Sequence, residues 1–382
     1  MAVRSVVLSG KRIITGVGAL NSLSEYRYRR VAIVTGGSSM TRYGIIDRVK
    51  ALFKGNGSEV FVISGIKKNP SFEEVFDGLK ILNDFAPDCI VAVGGGSAID
   101  CAKAMLLFYE FPYLNRANVL EFNSEGKIPK ERKCGLICIP STSGTGSEVT
   151  RGAVITDTEQ KLKVPIMTDC LRPDVAILDP EVTLTMPPNI VAETGLDALT
   201  HAIESYTNKK LDDFDAALSM AAIAGIMKYL PISFHEGTLE AREKVHNYQA
   251  MAGISFANVG LGMVHGMAHS FGAAFNMGHG LTNAIILPYA LRFNSQDAEV
   301  SSKLTELSYA CHCDDIIAEI EKLRKDFGIP NSYKEAGISE EQYLENRELL
   351  LEHAMLGATL VNPVPMTKES MSMMLDKVYY GL

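Results

Sequence analysis

Three histidines, His265, His269 and His279, fall close together in a chain whose first 200 residues contain none; all eight histidines lie between positions 201 and 353. Imidazole is the commonest metal ligand and a proton carrier near neutral pH, so histidine chemistry belongs to the second half of the chain. His265 and His269 are four residues apart, as are Asp197 and His201 in GLDALTHAIESY. On a helix that spacing sets both members of a pair on one face. Alone, Asp197 with His201 is an ordinary helix-stabilising pair. Taken together, Asp197, His201, His265 and His279 offer three nitrogens and one oxygen, a donor set suited to Fe2+ or Zn2+. His269, one turn from His265, would be a further ligand or a proton relay. No glutamate follows His265, which excludes the H-E-x-x-H protease arrangement. Cys311-His312-Cys313 is spaced too tightly for a usual zinc site. Gly262, Gly266, Gly278 and Gly280 flank the histidines and would leave room for a small molecule. An alcohol bound at such an ion would lose its proton more readily and pass hydride to a nicotinamide.

Two glycine- and hydroxyl-rich turns in the first half fit that partner. Gly94-Gly95-Gly96-Ser97 follows an apolar run and opens a helical stretch at Ala98-Ile99-Asp100. Backbone without Cβ atoms, ending in a helix start, suits a phosphate; Ser97 is the expected N-cap. Ser141 to Glu148, STSGTGSE, is a second polar turn after an apolar run. Two such cradles in one α/β region suggest a dinucleotide. A third turn, Gly36-Gly37-Ser38-Ser39, lacks the carboxylate that would bind a ribose 2′-hydroxyl and repel a 2′-phosphate, and Arg42 is nearby. NADP is therefore permitted as well as NAD.

These residues need elements to hold them. RVAIVTG (30–36), EVFVIS (59–64), CIVAVGGG (89–96), GLICIPST (135–142) and VAILD (175–179) read as strands, with helices at 71–85 and 97–109 between them. That alternation predicts a parallel sheet of βαβ units. SVVLSG and KRIITG suggest an additional N-terminal hairpin. From about residue 184 helical periodicity takes over, with Pro187-Pro188 at the junction. The expectation is an α/β dinucleotide-binding domain over 1–183 and an all-helical metal-binding domain over 184–382, with the reaction in the cleft between them. Met263, Met267 and Phe271 recur at helical spacing around the histidines and, with Phe256 and Phe275, would wall an apolar pocket for a short aliphatic chain.

Composition narrows the class. The chain has 382 residues, 47% hydrophobic and 21% charged, enough for about two globular domains. Lys+Arg 37 against Asp+Glu 45 gives −8, which argues against nucleic acid as a partner. Seven cysteines without C-x-x-C spacing fit reduced thiols in a cytoplasmic protein. The opening MAVRSVVLSGKRII lacks the apolar stretch of a secretory signal, and the apolar runs near 216–227 and 284–290 are too short to span a bilayer, so no membrane partner is expected.

GGGSAID (94–100), STSGTGSEVT (141–150), GLDALTHAIESY (195–206) and GLGMVHGMAHSFGAAFNMGHGLTNAIILP (260–288) together resemble the iron-containing (group III) alcohol dehydrogenase family, in the family's order and over nearly the whole chain. The resemblance implies a Rossmann-like N-terminal domain and an all-helical metal-binding domain, the dehydroquinate synthase-like architecture. It implies Asp197, His201, His265 and His279 as ligands of Fe2+, with Zn2+ the alternative, and His269 beside nicotinamide and substrate. It implies a coenzyme site lined by Gly94, Gly95, Gly96, Ser97, Asp100, Thr142, Ser143, Thr150 and Lys163, with Asn69 beside it and Gly36, Gly37 and Ser38 at its ribose end. NAD-preferring relatives often carry aspartate where this chain has Gly36, so the turn looks more like that of NADP-using butanol dehydrogenases and aldehyde reductases. The implied activity is hydride transfer between a primary alcohol or aldehyde and NAD(P), by a homodimer or larger homo-oligomer. A polyol dehydrogenase or metal-dependent lyase on the same scaffold, and a non-catalytic nucleotide-binding protein, are the competing expectations.

Overall fold

The computed structural model describes residues 5–159 and 162–382. They divide into two compact units, Val7–Met186 and Pro187–Leu382, the latter together with Ser5 and Val6.

The first unit is built on a six-stranded parallel sheet. Its strands are β1 (Arg12–Thr15), β2 (Arg30–Gly36), β3 (Glu59–Ile66), β4 (Cys89–Gly94), β5 (Gly135–Pro140) and, beyond the hairpin β6 (Gly152–Asp157) and β7 (Leu162–Met167), β8 (Val175–Leu178). The order is β1-β8-β5-β4-β2-β3. The central strands are apolar throughout because both faces are covered. In β2, Val31 and Ile33 enter one core with the helix Ile45–Gly55, while Ala32 and Val34 enter another beneath the helices Phe72–Phe85 and Gly96–Glu110. In β4, Val91 and Val93 face the first core and Ile90 and Ala92 the second. Strand order reverses between β2 and β4, and a crevice at such a reversal is where ligands bind in open α/β sheets.

Two elements differ from the sequence expectation. No hairpin forms at the N-terminus: residues 5–10 are irregular and β1 pairs in parallel with β8, from Arg12↔Val175 to Thr15↔Leu178. Gly10 is pressed against the carbonyl of Pro173, and the N–H groups of Lys11 and Arg12 donate to the Asp174 carbonyl at 2.8 and 3.0 Å, which steers the chain onto the sheet edge. The antiparallel pair β6/β7 was not expected. β6 alternates buried and half-buried residues, the pattern of a strand covered on one face only.

The second unit is helical. The helices Pro188–Thr207, Asp213–His235 and Leu239–Val259 pack on one another, and His279–Asn294 packs on the first of them and on Met263–Phe275. Asp213–His235 is a continuous helix long and apolar enough to cross a membrane by length and composition, which exceeds the short run expected at 216–227. It is built into the bundle: Asn258 of the neighbouring helix donates to the buried Asp215 carboxylate at 3.0 Å. The seven cysteines are thiols, five of them buried.

His246, on Leu239–Val259, is fully buried, and desolvation pushes its imidazole down to about 3 from the usual 6.5. The unfolded chain therefore binds a proton that the native chain refuses between those values. The stability contribution is complete above pH 6.5 and is lost as pH falls toward 3, with a slope of about 1.4 kcal/mol per pH unit. We expect His246→Gln to remove one proton's slope from the acid limb of a Tm-against-pH curve, measured in chelator. An acid limb identical to that of the parent protein would show that His246 titrates normally.

Candidate metal centre and coenzyme cradle

The helix Pro188–Thr207 starts with proline at its first position and is buried continuously from Gly195 to Thr207. A helix covered on all sides needs partners for every polar group. Thr200 donates to the Leu196 carbonyl, Thr207 to that of Ile203, and Ser205 joins Ser219 and Ser255 in a hydroxyl cluster. Asp197 is 1% exposed on this helix, and a carboxylate at that depth calls for a cation or strong donors.

The donors converge on it. His201 lies one turn on; His265 comes from the first turn of Met263–Phe275, and His279 opens His279–Asn294. One atom from each of Asp197, His201, His265 and His279 lies within 4.8 Å of the others, the sole such group of metal-ligating side chains among the described residues. Nε2 of His201, His265 and His279 lies 4.0, 3.9 and 3.6 Å from Oδ1 of Asp197. Bonds of about 2.1 Å set neighbouring ligands of one ion roughly 3–4 Å apart, so the donor set fits a single divalent ion. His201 is clamped between Phe256 and His265, with ring centroids at 4.4 and 4.6 Å. His269, half-buried on the next turn, stacks on His279 at 5.2 Å.

Asn283 was not expected at this site. Its Nδ2 donates to Asp197 Oδ1 at 2.6 Å and lies 3.1 Å from His265 Nε2 and 3.2 Å from His279 Nε2. The amide thus touches three of the four expected ligands. Its signal was position: Asn283 is four residues after His279, one helical turn. Glu204, seven residues after Asp197 on the same helical face, is the other residue the metal pattern omits.

The flanking glycines serve a different end from the one expected. A Cβ on Gly266 would strike Thr359 and the Ala354 carbonyl, one on Gly280 the backbone of Glu193, and one on Gly262 the side chains of Glu204 and Asn362 at 2.8 Å. They make room for protein, not for substrate. Met263, Met267 and Phe271 are likewise core, each 0% exposed, and Phe271 lies flat on Tyr333 at 3.7 Å. Phe256 and Phe275 are half-buried.

In the first unit the glycine turns meet at the carboxyl ends of β2 and β4. Gly94 has φ +155°, and its added Cβ would lie 2.8 Å from Cβ of Ala98 and 3.6 Å from the Gly36 nitrogen. A Cβ on Gly96 would lie 2.7 Å from Thr145, and one on Gly95 3.4 Å from Thr142. The helix Gly96–Glu110 is capped by Gly95, not by Ser97, and no side chain closes its N-terminus. Open backbone with a helix start and no cap is the arrangement that receives a phosphate. Ser97 instead accepts the N–H of Asn69 at 3.4 Å, and Asn69, at φ +55°, accepts from Lys163 Nζ at 3.0 Å. Asp100 receives the Ser147 hydroxyl at 2.6 Å and the Val154 N–H at 3.0 Å, and burial raises its carboxyl above the usual range. Lys103, 0% exposed, donates to the carbonyls of Ser147, Thr150 and Gly152 at 2.5, 2.9 and 2.8 Å. Asp100 and Lys103 thus hold the loop that carries the buried Ser143 and Thr150, and Lys103 too escaped the sequence pattern. In the third turn Gly37 and Ser38 are exposed, and Arg42 donates to the Ser38 hydroxyl at 2.9 Å.

Comparison with known proteins agrees with this division. The family model for iron-containing alcohol dehydrogenase matches residues 10–180, and that for the C-terminal region of the Fe-containing alcohol dehydrogenase family matches 191–379. The chain is 41% identical over 378 residues to the NADPH-dependent butanol dehydrogenase of Clostridium saccharobutylicum, covering 97% of this chain and 96% of that one. It is 34% identical over 378 residues to an alcohol dehydrogenase of Thermococcus barophilus, covering 97% and 98%. The structure of the iron-containing alcohol dehydrogenase of Thermococcus thioreducens superposes with a TM-score of 0.91 at 36% identity, over 99% of this chain and 100% of that one. The parallel-sheet unit with its helical partner, the His/Asp group and these likenesses have one reading: the chain belongs to the iron-containing alcohol dehydrogenase family and is an oxidoreductase of alcohols and aldehydes.

Proposed function

We propose that the chain exchanges hydride between a short primary alcohol or its aldehyde and NADP, with Asp197, His201, His265 and His279 holding Fe2+ or, in its place, Zn2+. The convergence of these four side chains carries the reading. When bound, the ion supplies Lewis-acid chemistry toward the alcohol or carbonyl oxygen, and the dinucleotide supplies two-electron redox chemistry. The protein's part is placement. Asp197 sets a carboxylate oxygen beside three imidazole nitrogens, and the Asn283 amide lies within 3.2 Å of two of those nitrogens. His269 is the group to carry a proton at its ring nitrogen, half-buried and stacked on His279. Gly94, Gly95, Gly96 and Ser97 receive the pyrophosphate with Thr142, Ser143 and Thr150 nearby, and Asn69, Lys163 and Asp100 hold the cradle in shape. The half-buried Phe256 and Phe275 suit a short aliphatic chain better than a charged sugar. The family resemblance supports a homo-oligomer, a dimer or larger, and the unpaired thiols support a cytoplasmic location.

The test is an anaerobic absorbance assay of butanal reduction with NADPH and NADH, on protein stripped by chelator and reloaded with Fe2+ or Zn2+. Oxidation of NADPH only after metal loading is expected. No oxidation of either coenzyme under any loading would overturn the reading and turn the search to polyols, lyase substrates or binding alone.

NADP over NAD rests on the Gly36 turn, on Arg42 and on the coenzyme of the butanol dehydrogenase relative. A Cβ at Gly36 would be 3.5 Å from its nearest neighbour, an ordinary contact, so a side chain fits there without strain. Gly36→Asp should therefore fold normally while placing a carboxylate against a 2′-phosphate. We expect kcat/KM for NADPH to fall about tenfold or more, a repulsion of roughly 1.4 kcal/mol, with NADH unharmed or improved. An unchanged NADPH-to-NADH ratio would remove this turn from coenzyme selection.

A further inference from the structure

The helix Met263–Phe275 begins without a cap of its own: Gly262 precedes it and has no side chain to offer. Two residues distant in sequence take over. Asn362 Oδ1 accepts the N–H of Met263 at 3.1 Å, and Glu204 Oε1 accepts that of Val264 at 2.8 Å. The other oxygen of Glu204 lies 2.5 Å from Nδ1 of His265, and both residues are buried, at 5% and 1% exposure. Both acceptors reach the helix end because Gly262 is glycine: a Cβ there would lie 2.8 Å from each of them.

We propose that Glu204 is a positioning residue for the metal centre. It receives the Nδ1 proton of His265, which fixes the tautomer that leaves Nε2 as a lone pair facing Asp197. One carboxylate thus closes a helix end and aims a ligand that begins in that helix's first turn. The inference rests on the metal reading above.

The isosteric change Glu204→Gln separates aiming from mere support. A carboxylate accepts two N–H groups, one on each oxygen, whereas an amide has one accepting oxygen and one NH2. Whichever way glutamine sits, an NH2 faces either the Val264 N–H or Nδ1 of His265. The ring escapes the second conflict by moving its proton to Nε2, where it can no longer ligate. The comparison variant is Asn362→Ala, which damages the same helix end without touching an imidazole.

Zn2+ affinity is read by competition with a chromogenic chelator, and helix support by the Tm of the metal-free proteins. We expect Glu204→Gln to weaken Zn2+ binding about 10–100-fold, and Asn362→Ala to lower Tm while leaving affinity within about threefold of the parent. Equal loss of affinity in both variants, or none in Glu204→Gln, would reduce Glu204 to a cap and overturn the proposal. A second measurement needs no variant. Long-range 15N–1H spectra of histidine-labelled, metal-free parent protein should show His265 protonated on Nδ1, and protonation on Nε2 would overturn the proposal. A parent protein that binds no Zn2+ would overturn the metal reading, and the positioning role with it, whereas Zn2+ binding unaltered by Glu204→Gln would overturn the positioning role alone.

Discussion

His265→Ala should leave a chain that folds and binds coenzyme but neither keeps its ion nor turns over. His265 is 1% exposed, shares the Asp197 site with His201 and His279, and stacks on His201. Alanine removes one of four donors and frees a neighbouring ring to reorient. Loss of an outer partner of a ligand costs about 10–100-fold, and loss of the ligand itself should exceed that, both in metal retained after gel filtration and in kcat with butanal. NADPH titration should be unaffected, because the cradle is built from residues of the other unit. Turnover persisting in a metal-free His265→Ala protein would sink the metal-dependent mechanism.

The second large effect is expected at Gly96. Its missing side chain accommodates Thr145, which an added Cβ would meet at 2.7, 2.9 and 3.1 Å through three of its atoms. Gly96→Val must displace Thr145 or tilt the start of the helix Gly96–Glu110, and either movement alters the backbone offered to phosphate. We expect the Kd for NADPH, read by fluorescence titration, to rise at least tenfold, about 1.4 kcal/mol, while bound metal stays stoichiometric. Gly55→Ala is the control, since a Cβ there meets nothing within 4 Å. Unchanged NADPH affinity in Gly96→Val would remove the glycine turn from the coenzyme site.

Four of the five expected strands were legible because both faces are buried, which writes a continuous apolar run into the chain; the edge strand β3, with Glu59 and Phe61 exposed, was legible through its β-branched residues. β6 and β7 have one covered face, so their mixed runs resemble loop. The Asp/His group was legible through composition, since histidines absent from half a chain and then crowded together are improbable as core filler. Glu204 and Asn283 sit at helical spacing from ligands, yet glutamate and asparagine at such positions are common on any helix. Only the fold shows that their polar atoms point at imidazoles. The glycines mark the limit most clearly. A sequence shows that a Cβ is missing, but not whether ligand, backbone or a distant side chain occupies the space. At Gly262, Gly266 and Gly280 the occupant comes from residues 204 and 362, 359 and 354, and 193, respectively.

That packing has an evolutionary consequence. The small residues beside the ligands are locked by neighbours that tolerate no added carbon, so the immediate surroundings of the ion can hardly vary. Phe256 is tied to that setting by its stack on His201, whereas Phe275 is only partly covered and touches none of the four ligands through its ring. Drift in the size or polarity of the accepted alcohol can therefore proceed through exchangeable aromatic and aliphatic positions while the ion's setting stays unchanged. A lineage built on this arrangement can diversify its diet of alcohols without reinventing its metal chemistry.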